Sequence, residues 1–102
     1  ISTNLYLLEN NKIIGRCQIE MHNGYYKLQG LYIQPEYRKK GYGDLLVNDV
    51  IRLFNEQSEC DLLWIMVNKN HKNLIKWYKK FGFKYEENAG KTYKWYSLTK
   101  QI

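Results

Sequence analysis

The chain has 102 residues, 44% hydrophobic and 25% charged, with a net charge of +6 and a pI near 9.3. That length makes a single domain over residues 1–102 with a modest core, and the composition excludes a disordered, collagen-like or disulfide-stapled chain. No apolar run approaches the ~20 residues of a membrane span, no signal-peptide pattern is visible, and the positive balance suits an anionic partner, whether phosphorylated cofactor, nucleic acid or anionic membrane.

In chain order, residues 4–9 read as a strand and Asn10-Asn11 as a tight turn, with a second strand over 12–21 completing a hairpin. His22-Asn23-Gly24 is a further turn with a glycine free to take positive φ. A third strand spans 25–33, and Gly30 inside it predicts a bulge or a close backbone approach. Pro35 stops that strand. From 43 to 57 apolar residues recur at helical spacing, with Leu46, Val50 and Phe54 on one row and Leu45, Val47 and Ile51 beside it. Residues 62–67 form a continuous apolar run of strand length, which predicts burial on both faces and parallel pairing. A second helix over 70–80 carries Leu74, Trp77, Tyr78 and Phe81 as its apolar stripe, surrounded by Lys69, Lys72, Lys76, Lys79 and Lys80, and Gly82 ends it. Strands over 83–87 and 92–98 close the chain, with Tyr93 and Trp95 on one face of the last and Tyr96 and Leu98 on the other. The order β-β-β-α-β-α-β-β is α+β, a largely antiparallel sheet with one right-handed βαβ crossover.

The most informative stretch is Arg38-Lys39-Lys40-Gly41-Tyr42-Gly43, between the third strand and the first helix. Two glycines let the backbone turn tightly. The helix that follows aims its positive dipole end and unpaired N–H groups at the same spot, and three cations add attraction. A diphosphate fits this pattern. Cys17 and Cys60 make neither a disulfide framework nor a metal-ligand pair, and with two scattered histidines no metal site is expected. Reduced thiols point to a reducing, cytoplasmic setting.

Two blocks make the chain resemble the GNAT superfamily of acyl-CoA-dependent N-acyltransferases. The first runs from Leu31-Tyr32-Ile33-Gln34-Pro35-Glu36-Tyr37 through Arg38-Lys39-Lys40-Gly41-Tyr42-Gly43 to Leu45-Leu46 and keeps the family's Arg-x-x-Gly-x-Gly core. The second runs from Val67 through Leu74-Ile75-Lys76-Trp77-Tyr78-Lys79-Lys80 to Phe81-Gly82-Phe83. The blocks stand in the expected order, and the resemblance as a whole covers about residues 4–98. The strand and two helices with which such domains usually begin are missing, which implies a short form: a cropped chain, a wall supplied by another chain, or a minimal member with an open acceptor side.

The resemblance implies a central sheet that splays between the third and fourth strands, with acetyl-CoA, or another acyl-CoA, in the gap. It implies that backbone groups of Leu31 and Ile33 grip the pantetheine arm and that the pyrophosphate lies on the amides of Lys39, Lys40, Gly41, Tyr42 and Gly43, with the Arg38 and Lys40 side chains nearby. Tyr78 aligns with the tyrosine that protonates the departing thiolate in many members; packing on the helix stripe is its other reading. His71 stands where an asparagine often contacts the cofactor, flanked by Asn70 and Asn73, and it reads either as a cofactor contact or as an exposed helix-start residue. Many members carry a glutamate base on the central strand, whereas this chain has Lys27-Leu28-Gln29 there. Glu20 is the carboxylate in reach, and a solvated strand-end residue is its other reading. The implied activity is transfer of an acetyl or short acyl group to a small-molecule or peptide amine by direct attack in a ternary complex. A CoA-binding module without turnover and a lysine-helix nucleic-acid binder are the alternatives, and a homodimer through the final hairpin is a further expectation.

Overall fold

The computed structural model describes residues 1–57 and 59–100. Strands β1 (Ser2–Glu9), β2 (Lys12–His22) and β3 (Gly24–Ile33) form an antiparallel meander. The turn between β1 and β2 places Asn10 at φ 50° and Asn11 at φ 64°, two left-handed residues in succession, the geometry whose twist matches a two-residue hairpin. After β3 a short 3₁₀ turn, Pro35–Tyr37, leads to helix α1 (Tyr42–Glu56). Then come β4 (Cys60–Asn68), helix α2 (Lys72–Lys79), β5 (Lys84–Ala89) and β6 (Tyr93–Thr99). The described strands form one sheet in the order β1-β2-β3-β4-β6-β5, so the α+β architecture matches the expectation.

Only β3 and β4 run parallel, and they pair over a short stretch: Gly24 to Lys27 of β3 against Cys60 to Trp64 of β4. Beyond the Lys27–Trp64 pair the two strands separate. β3 stays with β2 through a bulge in which Gly30 and Leu31 stand opposite Cys17 alone, and Gly30 takes φ 63° there. β4 meanwhile stays with β6 along its length.

Both helices pack on one face of this sheet. Leu46, Val47, Val50, Ile51 and Phe54 of α1 bury against Cys17, Ile19, Leu28, Leu63, Ile65, Val67, Tyr96 and Leu98, and Tyr78 of α2 joins the same cluster. Leu45, assigned to the buried rows from its spacing, is 57% exposed, because the stripe that meets the sheet is centred on Val47 and Val50 and Leu45 lies on its margin.

The expectation that β4 is buried on both faces is corrected. Leu63, Ile65 and Val67 are buried, but Leu62 and Trp64 are half-buried and Met66 is 40% exposed. No described helix covers that second face. It carries Tyr25, Lys27, Trp64 and Trp95, with Trp64 and Trp95 edge to face at 5.9 Å and Lys27 Nζ 5.3 Å from the Trp95 ring centre. We refer to it as the open face.

One-sided burial sets unequal costs along β4. Ile65→Ala should lose about 2–5 kcal/mol of unfolding free energy and the adjacent Met66→Ala less than about 1 kcal/mol. Urea denaturation of the two variants measures this, and equal losses would contradict the packing.

Candidate functional site

The separation of β3 from β4 opens a groove of about 480 Å³ between the C-terminal half of β3 and the starts of α1 and α2, reached by Leu31, Ile33, Arg38, Gly41, His71 and Trp77 among others. One wall is β3 backbone. The Gln34 amide donates to Ile14 O at 2.9 Å, on the β2 side. Successive amides of an extended strand point to opposite edges, so the Ile33 amide, and that of Leu31 two residues earlier, face the gap. The Ile33 carbonyl is already engaged, accepting from Arg38 Nε at 2.8 Å.

The second wall is the loop into α1. Lys39 at φ 61° and Gly41 at φ 87° are both left-handed, an alternation that gathers successive N–H groups into a concavity suited to an anion. A Cβ on Gly41 would meet nothing within 4 Å, so glycine is required there by conformation and the space beside the backbone is open. The first intrahelical bond runs from the Leu45 amide to Gly41 O at 3.2 Å, which leaves the amides of Tyr42, Gly43 and Asp44 at a helix N-terminus without helical partners. These donors, with the cations around them, fit a diphosphate.

The third wall is the start of α2, locked onto α1 by one carboxylate. Asp44 accepts from Trp77 Nε1 at 2.9 Å and from Lys80 Nζ at 2.6 Å. The Lys80 contact, then that of Trp77, holds its carboxyl below the ordinary range. A Cβ on Gly43 would lie 3.3 Å from the Trp77 ring, so a glycine lets the start of α1 meet the C-terminal half of α2. His71, the residue before α2, donates its backbone N–H to Asn68 O at 3.0 Å and faces the groove across from Leu31 and Ile33.

Several expected site residues stand elsewhere. Lys40 Nζ lies 5.9 Å from the Tyr37 ring centre, and the Tyr42 hydroxyl donates to Glu9 Oε1 at 2.6 Å. Neither side chain lines the groove, although the Tyr42 amide belongs to the anion-facing turn. Arg38, by contrast, does line the groove, with its guanidinium over the Tyr32 ring at 5.1 Å. Asn73 is exposed and outside the lining, because one residue along a helix turns a side chain about 100°, away from the direction of Leu74, which does line it. Asp44 and Trp77, which do line it, were not singled out as site residues from sequence. The acidic residue in the first turn after Gly41-Tyr42-Gly43 was the available signal for Asp44.

Tyr78 and Glu20 lie on opposite faces of the sheet. Tyr78 is 6% exposed on the helix side, against Trp77 at 4.9 Å and Phe83 at 5.6 Å between ring centres. Burial, and then the neighbouring Cys17, push its phenol up to about 12. Since Cys17 stands opposite the Gly30–Leu31 bulge, Tyr78 is level with that bulge, a few residues beyond the point where β3 leaves β4. Glu20 pairs across the strands with Lys27, the last β3 residue paired to β4. It is thus level with the apex of the gap, on the open face.

The sequence profile of the acetyltransferase (GNAT) family matches residues 2–83. Streptothricin acetyltransferase A of Bacillus subtilis is 40% identical over 60 residues, 58% of this chain and 34% of that protein, so the chain spans a minor part of that relative's length. Among solved structures, the ribosomal-protein-S18-alanine N-acetyltransferase of Escherichia coli superposes with a TM-score of 0.88 at 17% identity, over 99% of this chain and 70% of that one. The PaiA N-acetyltransferase of Thermoplasma acidophilum, solved in complex with coenzyme A, gives 0.85 at 20% identity over 96% and 60%. The Campylobacter jejuni N-acetyltransferase PseH, in complex with acetyl coenzyme A, gives 0.81 at 20% identity over 98% and 69%.

The Tyr78 environment predicts a pH dependence. Its folded pKa lies above the ordinary value of 10.0, at about 12. Between those values the folded chain keeps a proton that the unfolded chain releases, so stability falls as pH rises through that window. Tyr78→Phe should remove up to about 3 kcal/mol of this loss. Urea unfolding of parent and variant at pH 9 and pH 11 tests it, and a difference between them that is the same at both pH values would contradict it.

Proposed function

The chain belongs to the acetyltransferase (GNAT) family, and from that premise we propose that it transfers an acetyl group from acetyl-CoA to an amine by direct attack. The observation that carries this reading is the gap between β3 and β4 with an anion-facing helix start at its mouth. When bound, acetyl-CoA supplies the thioester acyl group and a thiolate leaving group. The amides of residues 39–43 hold the diphosphate, with the Lys39 and Arg38 cations beside it. The Leu31 and Ile33 amides hold the amide-rich arm as an added strand would, satisfying backbone donors that are costly to leave unpaired. The Ile33 N–H is also the nearest described donor for charge developing on the thioester oxygen.

Tyr78 serves the leaving group from the helix face. A phenol near pKa 12 is neutral at every physiological pH, so it is always a hydrogen-bond donor. Complete proton transfer to a thiolate of ordinary basicity would run uphill by roughly 4 kcal/mol. Tyr78 therefore acts chiefly by hydrogen-bonding the developing thiolate, which still lowers the barrier. The acceptor enters from the other side. The helix face at this level is filled by Leu28, Leu46 and Val47, while the open face has no described helix over it. Amine and Tyr78 then meet the reacting centre from opposite faces.

Acetyl-CoA at ~100 times its dissociation constant should stabilise the fold by about 2.7 kcal/mol and raise the thermal midpoint by roughly 4–8 °C per kcal/mol, so about 10 °C or more. Dephospho-CoA and ATP are the controls. Tyr78→Phe should keep that shift and lose about 10²-fold in kcat on an amine panel. The reading fails if millimolar acetyl-CoA leaves the midpoint unmoved.

A further inference from the structure

One proton in this chemistry has no receiver so far. An amine that arrives as an ammonium must lose a proton before its lone pair can attack. The central strand offers no carboxylate for this, with Lys27 and Gln29 as its open-face side chains near the apex. The neighbouring strand does offer a constrained pair. Glu20 Oε1 and His22 Nε2 are 2.5 Å apart. Two lone pairs do not approach so closely, so a proton lies between these atoms; in the tautomer that carries it on Nε2, Nδ1 is the ring's open acceptor.

Each member of the pair is anchored a second time. Gln29 Nε2 donates to Glu20 Oε2 at 3.2 Å and to Gln18 Oε1 at 2.8 Å. The His22 ring stacks on Tyr25, with centroids 4.6 Å apart and planes at 14°. An exposed ion pair of this kind contributes little to stability. Gln29 lies two residues beyond Lys27, the last β3 residue paired to β4, so the network reaches the gap. At its other end His22 opens onto a polar depression of about 620 Å³ shared with Ile1, Tyr26, Glu59 and Cys60, a path for water to bulk solvent.

We propose that His22 receives the proton of the acceptor ammonium through water on the open face, and that Glu20 is its positioning residue. This inference rests on the acetyl-transfer reading. The N–H bond of the ammonium breaks and a proton arrives at Nδ1 of His22, leaving an imidazolium against the Glu20 carboxylate. The freed lone pair forms the N–C bond as the C–S bond breaks, and its electron pair leaves on sulfur. The second nitrogen proton balances the thiol, and His22 returns its proton to solvent. Glu20 fixes the ring tautomer and faces the positive charge, the division of labour found in carboxylate–histidine pairs generally.

The charge environment favours the ring over the carboxylate. The His22 hydrogen bond, as the largest cause, holds Glu20 below the ordinary carboxylate range; desolvation opposes this, and Lys27 and Gln29 add to it. Glu20 is thus an anion with little affinity for another proton. The groups facing the pair are Gln18 on β2, with Tyr25, Lys27 and Gln29 on β3. The Ile1 amino group, Tyr26, Glu59 and Cys60 lie at the depression.

The test compares the parent chain with His22→Asn, His22→Gln, Glu20→Gln and the double variant. Each takes acetyl-CoA and a panel of primary amines across pH. Each single substitution should lower kcat by about 10- to 100-fold, with the acetyl-CoA thermal shift unchanged. The acidic limb of the parent's kcat/KM profile should disappear in both His22 variants. The double variant should be no slower than the slower single, as for residues acting as a unit. A readout independent of turnover is the carbon-13 titration of the Glu20 carboxyl, which should move up toward the ordinary range in His22→Asn.

Parent-like rates and profile in both His22 variants would overturn the inference alone. So would a Glu20 titration that does not move. A parent that acetylates no amine in the panel would overturn the transfer reading as well, and the Glu20 titration would still report whether the pair is coupled.

Discussion

The parting of β3 from β4 after the Lys27–Trp64 pair is the constraint on which the rest of the molecule depends. Each strand has a stronger claim elsewhere. β3 is held to β2 on both sides of the Gly30 bulge, and beyond it by the Gln34 amide on Ile14 O. β4 is paired with β6 from Leu62 to Asn68. Two half-sheets thus share only a short parallel seam, and past it the facing backbone edges lack strand partners. Such groups are expensive to leave unsatisfied away from water, so a gap of this kind is suited to a ligand that brings its own amides.

What keeps the gap from closing is the way the helices seat. α1 fills the helix face beneath both half-sheets with Val47, Val50 and Phe54, none of them measurably exposed. Its first turn is tied to α2 through Asp44, Trp77 and Lys80. The glycine at 43 permits that close approach, and the one at 41 permits the turn that faces its amides outward. Anion-binding geometry and helix–helix packing are therefore one structural decision, made at the same few residues.

Placing both helices on one face also divides the chemistry. On the helix side the buried Tyr78 keeps its proton, because burial raises its pKa to about 12. On the open side Glu20 keeps its charge, because His22 and Lys27 stabilise it. A proton donor and an anionic pair, held in opposite environments by one sheet, are what an amine attacking a thioester needs at its two ends.

Much of this was legible in the residues. The Asn10-Asn11 turn, the Gly30 bulge, the stop at Pro35, the period of α1 and the glycine pattern at 41 and 43 are all short-range matters of allowed dihedrals and side-chain spacing, and these act the same way in any fold. The approximate position of the anion-facing loop followed from them. Three things did not. A run of apolar residues in β4 does not say which faces are covered, and only the seating of both helices on one side decided that Met66 is exposed. Residues 33 apart, Asp44 and Trp77, meet because the start of α1 packs against the C-terminal half of α2 at Gly43, which no local pattern encodes. For Glu20 the sequence offers two readings, a carboxylate in reach of the cleft and a solvated strand end; only pairing with Lys27 set it level with the apex, and alternation along β2 set His22 beside it. Sequence determines local conformation directly, because it acts through bonds and nearest neighbours; which distant side chains share a site is decided by packing, the sum of contacts over the whole sheet.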